Sequence, residues 1–208
     1  MTERHIAVLT GDLVHSTKLG PEKIERAFKA LEDCAQVQEA WHGAPLHFTR
    51  HRGDGWQVVL ARPDMALRSA LAFRAALKGE SQDFDTYIGI AEGSVTGPVG
   101  PDLNNETSEV FQLSGERLAE TKQSPPFLIL HASHGAKGAA AILADTLSHD
   151  WTTAQAEAIL PVLAPDSATN QTRVGKMLGK SRQAIAKAWD AGHLHQLKRA
   201  FASIESAP

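Results

Sequence analysis

The polar and apolar positions of this chain follow two different periods. Residues 5–12 form a short apolar run, Ile6-Ala-Val-Leu9, closed by Gly11-Asp12, and the pattern predicts a buried strand. After Pro21 the apolar positions are Ile24, Ala27, Phe28, Leu31 and Ala35, with Gln38 on the same side. That spacing predicts a helix, with Pro in its first turn and Gly43 just past its end. Residues 46–52 and 56–61 read as two strands around Gly53-Asp54-Gly55, a hairpin signal. Pro63 starts a second helix carrying Ala66, Leu67, Ala70, Leu71, Ala75 and Leu77, and residues 86–92 form a further strand. A third helix is expected over 108–122 and a last strand over 127–131.

The order up to residue 94 is therefore β-α-β-β-α-β. This is the split-βαβ, ferredoxin-like order, with two helices on one face of an antiparallel sheet. In that topology the first strand lies beside the third and runs against it. Asp12 at the end of one strand and Asp54 in the hairpin that opens the other then become neighbours.

From about residue 138 only helical patterns remain. Thr152 or Thr153 can cap a helix running to Leu163, interrupted by Pro161. Residues 170–178, Gly179, and 181–189 form two short helices around a glycine turn, and a final helix follows Gly192. The predicted division is a palm over 1–135 and a helical domain over 136–208.

Composition changes this picture little. Of 208 residues, 42% are hydrophobic and 22% charged, which excludes a disordered or collagen-like chain. The longest apolar stretches are too short to cross a bilayer, and the first residues lack an apolar signal core, so a cytoplasmic location is expected. The single cysteine, Cys34, allows no internal disulfide. Charge is more informative. Residues 1–164 carry 14 Lys+Arg against 21 Asp+Glu, whereas residues 165–208 carry 7 against 3. A basic end on an acidic body suits a polyanion partner for that end.

Two adjacent carboxylates repel unless a cation lies between them, and hard oxygen donors suit Mg²⁺ or Mn²⁺. Such ions commonly arrive with nucleotide phosphates. The backbone N–H groups of Leu13, Val14, His15, Ser16 and Thr17, leading into the first helix, are the candidate phosphate cradle. Ten histidines give no zinc pattern: His47 and His51 fall on one face of the predicted strand, but no Cys partners them.

These residues also carry a resemblance. Gly11-Asp-Leu-Val-His-Ser-Thr17 resembles the Gly-Asp-Ile-Val-Gly-Ser-Thr opening of class III adenylate/guanylate cyclase domains. Arg52-Gly-Asp-Gly-Trp56 resembles their metal-binding hairpin, and Tyr87-Ile-Gly-Ile-Ala-Glu-Gly93 their Arg-Ile-Gly-Ile-His-Thr-Gly segment. Phe111-Gln-Leu-Ser-Gly-Glu-Arg-Leu118 loosely matches their Asn-Leu-Ala-Ala-Arg-Leu helix. The resemblance implies a metal pair at Asp12 and Asp54 and an active site shared across a head-to-tail homodimer. It also implies a charge-neutralising arginine, for which Arg117 is the candidate. Two departures accompany it. The base-selecting lysine aligns near Phe48, and Gln112 with Glu116 stands where Asn and Arg are expected, so that Arg117 is one place out of register. Either a one-residue slip brings Arg117 in, or that group is missing.

The segment Thr172-Arg-Val-Gly-Lys-Met-Leu-Gly-Lys-Ser-Arg-Gln-Ala-Ile-Ala-Lys-Ala-Trp189 resembles a DNA-binding helix-turn-helix. Ser181, Arg182, Gln183 and Lys187 are its candidate DNA contacts, because Arg and Gln pair with base edges while Ser and Lys suit phosphates. The whole arrangement resembles the SatD-like family of bacterial proteins. The expected function is a nucleotide- and metal-binding regulator acting on DNA. Two alternatives stay open: an active nucleotidyl cyclase, that is, a phosphorus–oxygen lyase, and a palm kept only for dimerisation.

Overall fold

The computed structural model describes residues 2–51, 53–123, 127–165 and 167–206. It has an α+β architecture, a five-stranded sheet with helices packed on both faces. The central strand is β1 (Glu3–Leu13), whose residues from Ile6 onward are all buried. Helix α1 (Pro21–His42) starts on Pro21, and Gly43 ends it in the left-handed conformation at φ 64, donating its N–H to the Glu39 carbonyl. The hairpin strands β2 (Thr49–Arg50) and β3 (Gly55–Leu60) lead to α2 (Ala66–Glu80) and then β4 (Thr86–Thr96). Helix α3 (Glu109–Gln123) crosses to β5 (Ile129–His131), and α4 (Ala136–His149) follows.

The sheet order is β2-β3-β1-β4-β5. β1 pairs antiparallel with both β3 and β4, as the βαββαβ order requires. β5 runs parallel to β4 because α3 carries the chain across before it re-enters the sheet. The alternation of β1 divides the core. Ala7, Leu9 and Leu13 point to α1 and α2, which share one face as the sequence predicts. Ile6 and Val8 point to the other face, where Val110 and Phe111 of α3 cover them. Burial on both faces explains the unbroken apolar run of β1.

Within the predicted strand 46–52, the described residues 46–51 are not the continuous strand that their composition predicts. Only Thr49–Arg50 pairs with β3, because His47 takes a left-handed φ of 50 and Leu46 instead accepts a single bond from the Val59 N–H at 3.0 Å. His47 and His51 therefore share no strand face; His51 Nδ1 meets Asn104 Oδ1 instead. Arg52 lies outside the described residues.

The remaining helices are α5 (Thr153–Ile159), α6 (Gln171–Leu178), α7 (Arg182–Ala191) and α8 (Leu194–Glu205). Thr152 caps α5 with a full capping box, its side chain accepting from Gln155 N while Gln155 returns to Thr152 N. These helices lie over α2, which is buried on every side from Ala66 to Lys78. Their residues Ile159, Ile185, Leu197 and Phe201, with Trp151 just before α5, belong to the same apolar cluster as α1 and α2. Polar ties cross the same seam. Arg68 forms a two-pronged pair with Glu205, and the fully buried Arg74 holds Asp85 of the palm and Asp145 of α4 together. Among the described residues, no helix is long and apolar enough to cross a membrane.

Candidate functional site

The antiparallel pairing of β1 with β3 sets Asp12 opposite Gly55, one residue beyond Asp54. The Leu13 N–H donates to the Asp54 carbonyl at 3.1 Å, so the two acidic residues meet at the same end of the pair. Two close approaches set this register. A Cβ on Gly11 would lie 2.1 Å from the indole of Trp56, its cross-strand partner. Trp56 is itself fixed, with Nε1 donating to Thr86 Oγ1 at 3.0 Å and its ring against Phe73. On the other face, a Cβ on Gly89 would lie 2.1 Å from the Ser114 carbonyl, so α3 rests directly on β4 there. Ser114 Oγ meets Thr10 Oγ1 at 2.7 Å, which holds α3 over the strand that carries Asp12.

Asp12 and Asp54 lie close enough to influence each other's ionisation, and Ser16 Oγ donates to Asp54 Oδ2. The only side-chain cation paired with them among the described residues is Lys122, on the last turn of α3, which binds Asp12 Oδ2. Burial pushes the Asp12 carboxyl above its ordinary range, and the neighbouring Asp54 adds to this against the pull of Lys122. Burial works on Asp54 too, but the hydrogen bond from Ser16, the neighbouring Asp12 carboxyl and the charge of Lys122 outweigh it, and its carboxyl is held below the usual value. Asp12 is thus the easier of the pair to protonate.

The donor set fits a hard divalent cation incompletely. Two carboxylates and a hydroxyl are all-oxygen donors, the kind Mg²⁺ uses when waters and phosphates complete its shell. Among the described residues there is no cluster of three or more His, Cys, Asp or Glu, so the protein alone supplies no closed cage.

The five residues proposed for the phosphate cradle divide into two groups. The N–H groups of Leu13 and Val14 are engaged by the carbonyls of Asp54 and Asp85, at 3.1 and 3.0 Å. Those of His15, Ser16 and Thr17 donate to no acceptor among the described residues. His15 stands where the cyclase motif has Gly, and it adopts the left-handed conformation at φ 53 that a glycine takes without strain. Val14 and His15 line a cleft of about 610 Å³ together with Lys78, Tyr87 and Lys122.

Arg117 is not brought to the carboxylate pair of its own chain. Its guanidinium pairs with Glu120 at 2.5 Å and lines a separate cavity of about 330 Å³ with His131 and His134. Glu116 is exposed, and Gln112 Nε2 donates to the Thr107 carbonyl at 2.7 Å. Phe48 stacks on Trp56 with 6.2 Å between ring centroids. Lys122 was missed by sequence reasoning. The signal was helical spacing: Phe111, Gly115, Leu118 and Lys122 fall on one stripe, and Phe111 anchors that stripe to the sheet.

At the other end, Asn170 caps α6 by accepting from Arg173 N at 3.0 Å, and Gly179 ends it at φ 63. Ser181 caps α7 by accepting from Ala184 N at 3.1 Å. Gly175 is required by the closeness of the turn, because a Cβ there would lie 2.6 Å from the Lys180 carbonyl. Val174, Ile185 and Trp189 are buried between the helices, while Ser181, Arg182, Gln183 and Lys187 are all exposed. Lys180 pairs with Glu157 of α5 at 2.6 Å.

No protein-family model matches the chain, and no curated protein matches it. Among solved structures it is similar to a bacterial light-regulated adenylyl cyclase, at 18% identity and a TM-score of 0.47, over 63% of this chain and 77% of that one. A second structure described in the same terms matches at 18% identity and a TM-score of 0.47, with 62% of this chain on 43% of the other. The guanylyl cyclase Cya2 matches at 21% identity and a TM-score of 0.41, over 55% of this chain and 69% of that one.

Proposed function

We propose that this protein binds a nucleoside triphosphate together with Mg²⁺ or Mn²⁺ at Asp12 and Asp54, and binds DNA through its C-terminal helices. On this reading it is a regulator whose DNA binding responds to the nucleotide, and it works as a homodimer. The observation that carries the proposal is the meeting of Asp12, Asp54 and Ser16 beside a cleft lined by the exposed Lys122, with the buried Lys78 paired to Asp85 in its wall. When bound, the metal would neutralise triphosphate oxygens, and the free N–H groups of residues 15–17 would receive a phosphate. Residues 136–208 form the proposed DNA-reading unit, with Arg182 and Gln183 directed to bases and Ser181 and Lys187 to phosphates.

Cyclisation is left out of the proposal, because within one chain Arg117 lines a different cavity and Phe48 stands where the base-selecting lysine is expected; a cyclase would need Arg117 supplied to the partner's carboxylate pair. The test is thermal. Mn²⁺ with a triphosphate at about 100 times its Kd raises Tm by roughly 5–10 °C. Asp54→Asn removes most of that gain, whereas the unliganded Tm changes little. No shift with any of the four triphosphates would leave the palm as a dimerisation scaffold.

A further inference from the structure

Lys122 carries an inference that deepens the metal-site reading and rests on it. Its ammonium is bound to Asp12 Oδ2, and its charge also bears on Asp54. One lysine therefore holds Asp12 directly and lies near enough to Asp54 for its charge to act there. Asp12 is well covered, its side chain 13% exposed, while Asp54 is half-buried. Lys122, by contrast, is 45% exposed and lines the 610 Å³ cleft together with His15 and Lys78. Lysine is a point charge on a four-carbon stem, free to exchange one anionic partner for another. Its backbone is not free, because α3 is seated on Gly89 and tied to β1 through Ser114 and Thr10.

We infer that Lys122 is the resident counter-cation of the Asp12–Asp54 pair, displaced when a divalent cation enters and handed to the incoming triphosphate in the cleft. A divalent cation bound by Asp12 would meet the ammonium already on that carboxylate, so Lys122 lowers the affinity for metal alone. A triphosphate removes that penalty by giving the ammonium a new anion. Metal binding is thereby coupled to nucleotide binding through one side chain.

The experiment is a Mn²⁺ titration of the full chain without nucleotide, reading free Mn²⁺ by electron paramagnetic resonance. Lys122→Met binds Mn²⁺ tighter than wild type by about tenfold, the order expected for removing a close like charge. Lys122→Arg stays near wild type, since it keeps the charge. Adding a non-hydrolysable triphosphate tightens Mn²⁺ binding in wild type more than in Lys122→Met. Equal or weaker Mn²⁺ affinity in Lys122→Met, with binding still lost in Asp54→Asn, overturns the counter-cation role and leaves the metal site standing. Failure of wild type and Lys122→Met alike to bind Mn²⁺, or binding indifferent to Asp54→Asn, overturns both.

Discussion

Trp56 lies directly over Gly11, with so little room that a single methyl group on Gly11 would stand 2.1 Å from the indole. The ring cannot retreat, because Phe73 and Phe48 flank it and Thr86 holds its N–H. Gly11 precedes Asp12, so this contact sets where the first carboxylate leaves the strand. Gly11→Ala is expected to cost about 3 kcal/mol, at the upper end for overpacking a close-packed core. A urea unfolding curve with an unchanged midpoint would contradict this.

His42 makes stability depend on acid. Its Nδ1 accepts from the Arg62 N–H at 3.3 Å, so its Nε2 carries the proton and meets Ser69 Oγ at 3.0 Å. Burial, helped by the charge of Arg62, lowers its pKa to about 4. The unfolded chain then takes up a proton near pH 6.5 that the folded chain refuses until about pH 4. The stabilisation is fully present above pH 6.5 and is lost as pH falls through that window, with an upper limit of about 3 kcal/mol. Denaturant titrations at pH 7 and pH 4.5 should show that slope in wild type, and His42→Gln should flatten it. A slope that survives the substitution would assign the effect elsewhere.

The C-terminal helices lead to a salt experiment. If Arg182 reads a base, Arg182→Ala weakens binding to a preferred site by about 1–3 kcal/mol and relaxes the preference. If Lys187 meets a phosphate, Lys187→Ala weakens all sequences alike and lowers the slope of log K against log salt by about 1. Fluorescence anisotropy across a salt series separates these outcomes. Salt-independent binding, or none to any duplex, removes the DNA role.

Much of this architecture was legible in the sequence because local rules and topology agreed. Pro21 and Gly43 bound a helix by backbone chemistry alone, and the βαββαβ order puts β3 beside β1, which brings Asp12 to Asp54 across a gap of 42 residues. Three features were not legible. His47 adopts a left-handed φ that side-chain pattern does not encode, so the expected strand shrinks to Thr49–Arg50. The second covered face of the sheet depends on α3 crossing over, and apolar runs do not tell which face a later helix will take. Lys122 reaches Asp12 only because Gly89 lets α3 settle onto β4, a tertiary contact between two segments that look unrelated in sequence.

The central claim is that Asp12 and Asp54 together hold one divalent cation, and anomalous diffraction tests it most directly. Crystals soaked with Mn²⁺ and a non-hydrolysable triphosphate should give a Mn²⁺ peak touching both carboxylates, with Lys122 moved off Asp12. A peak elsewhere, or none at this pair in crystals that hold the nucleotide, would contradict the account.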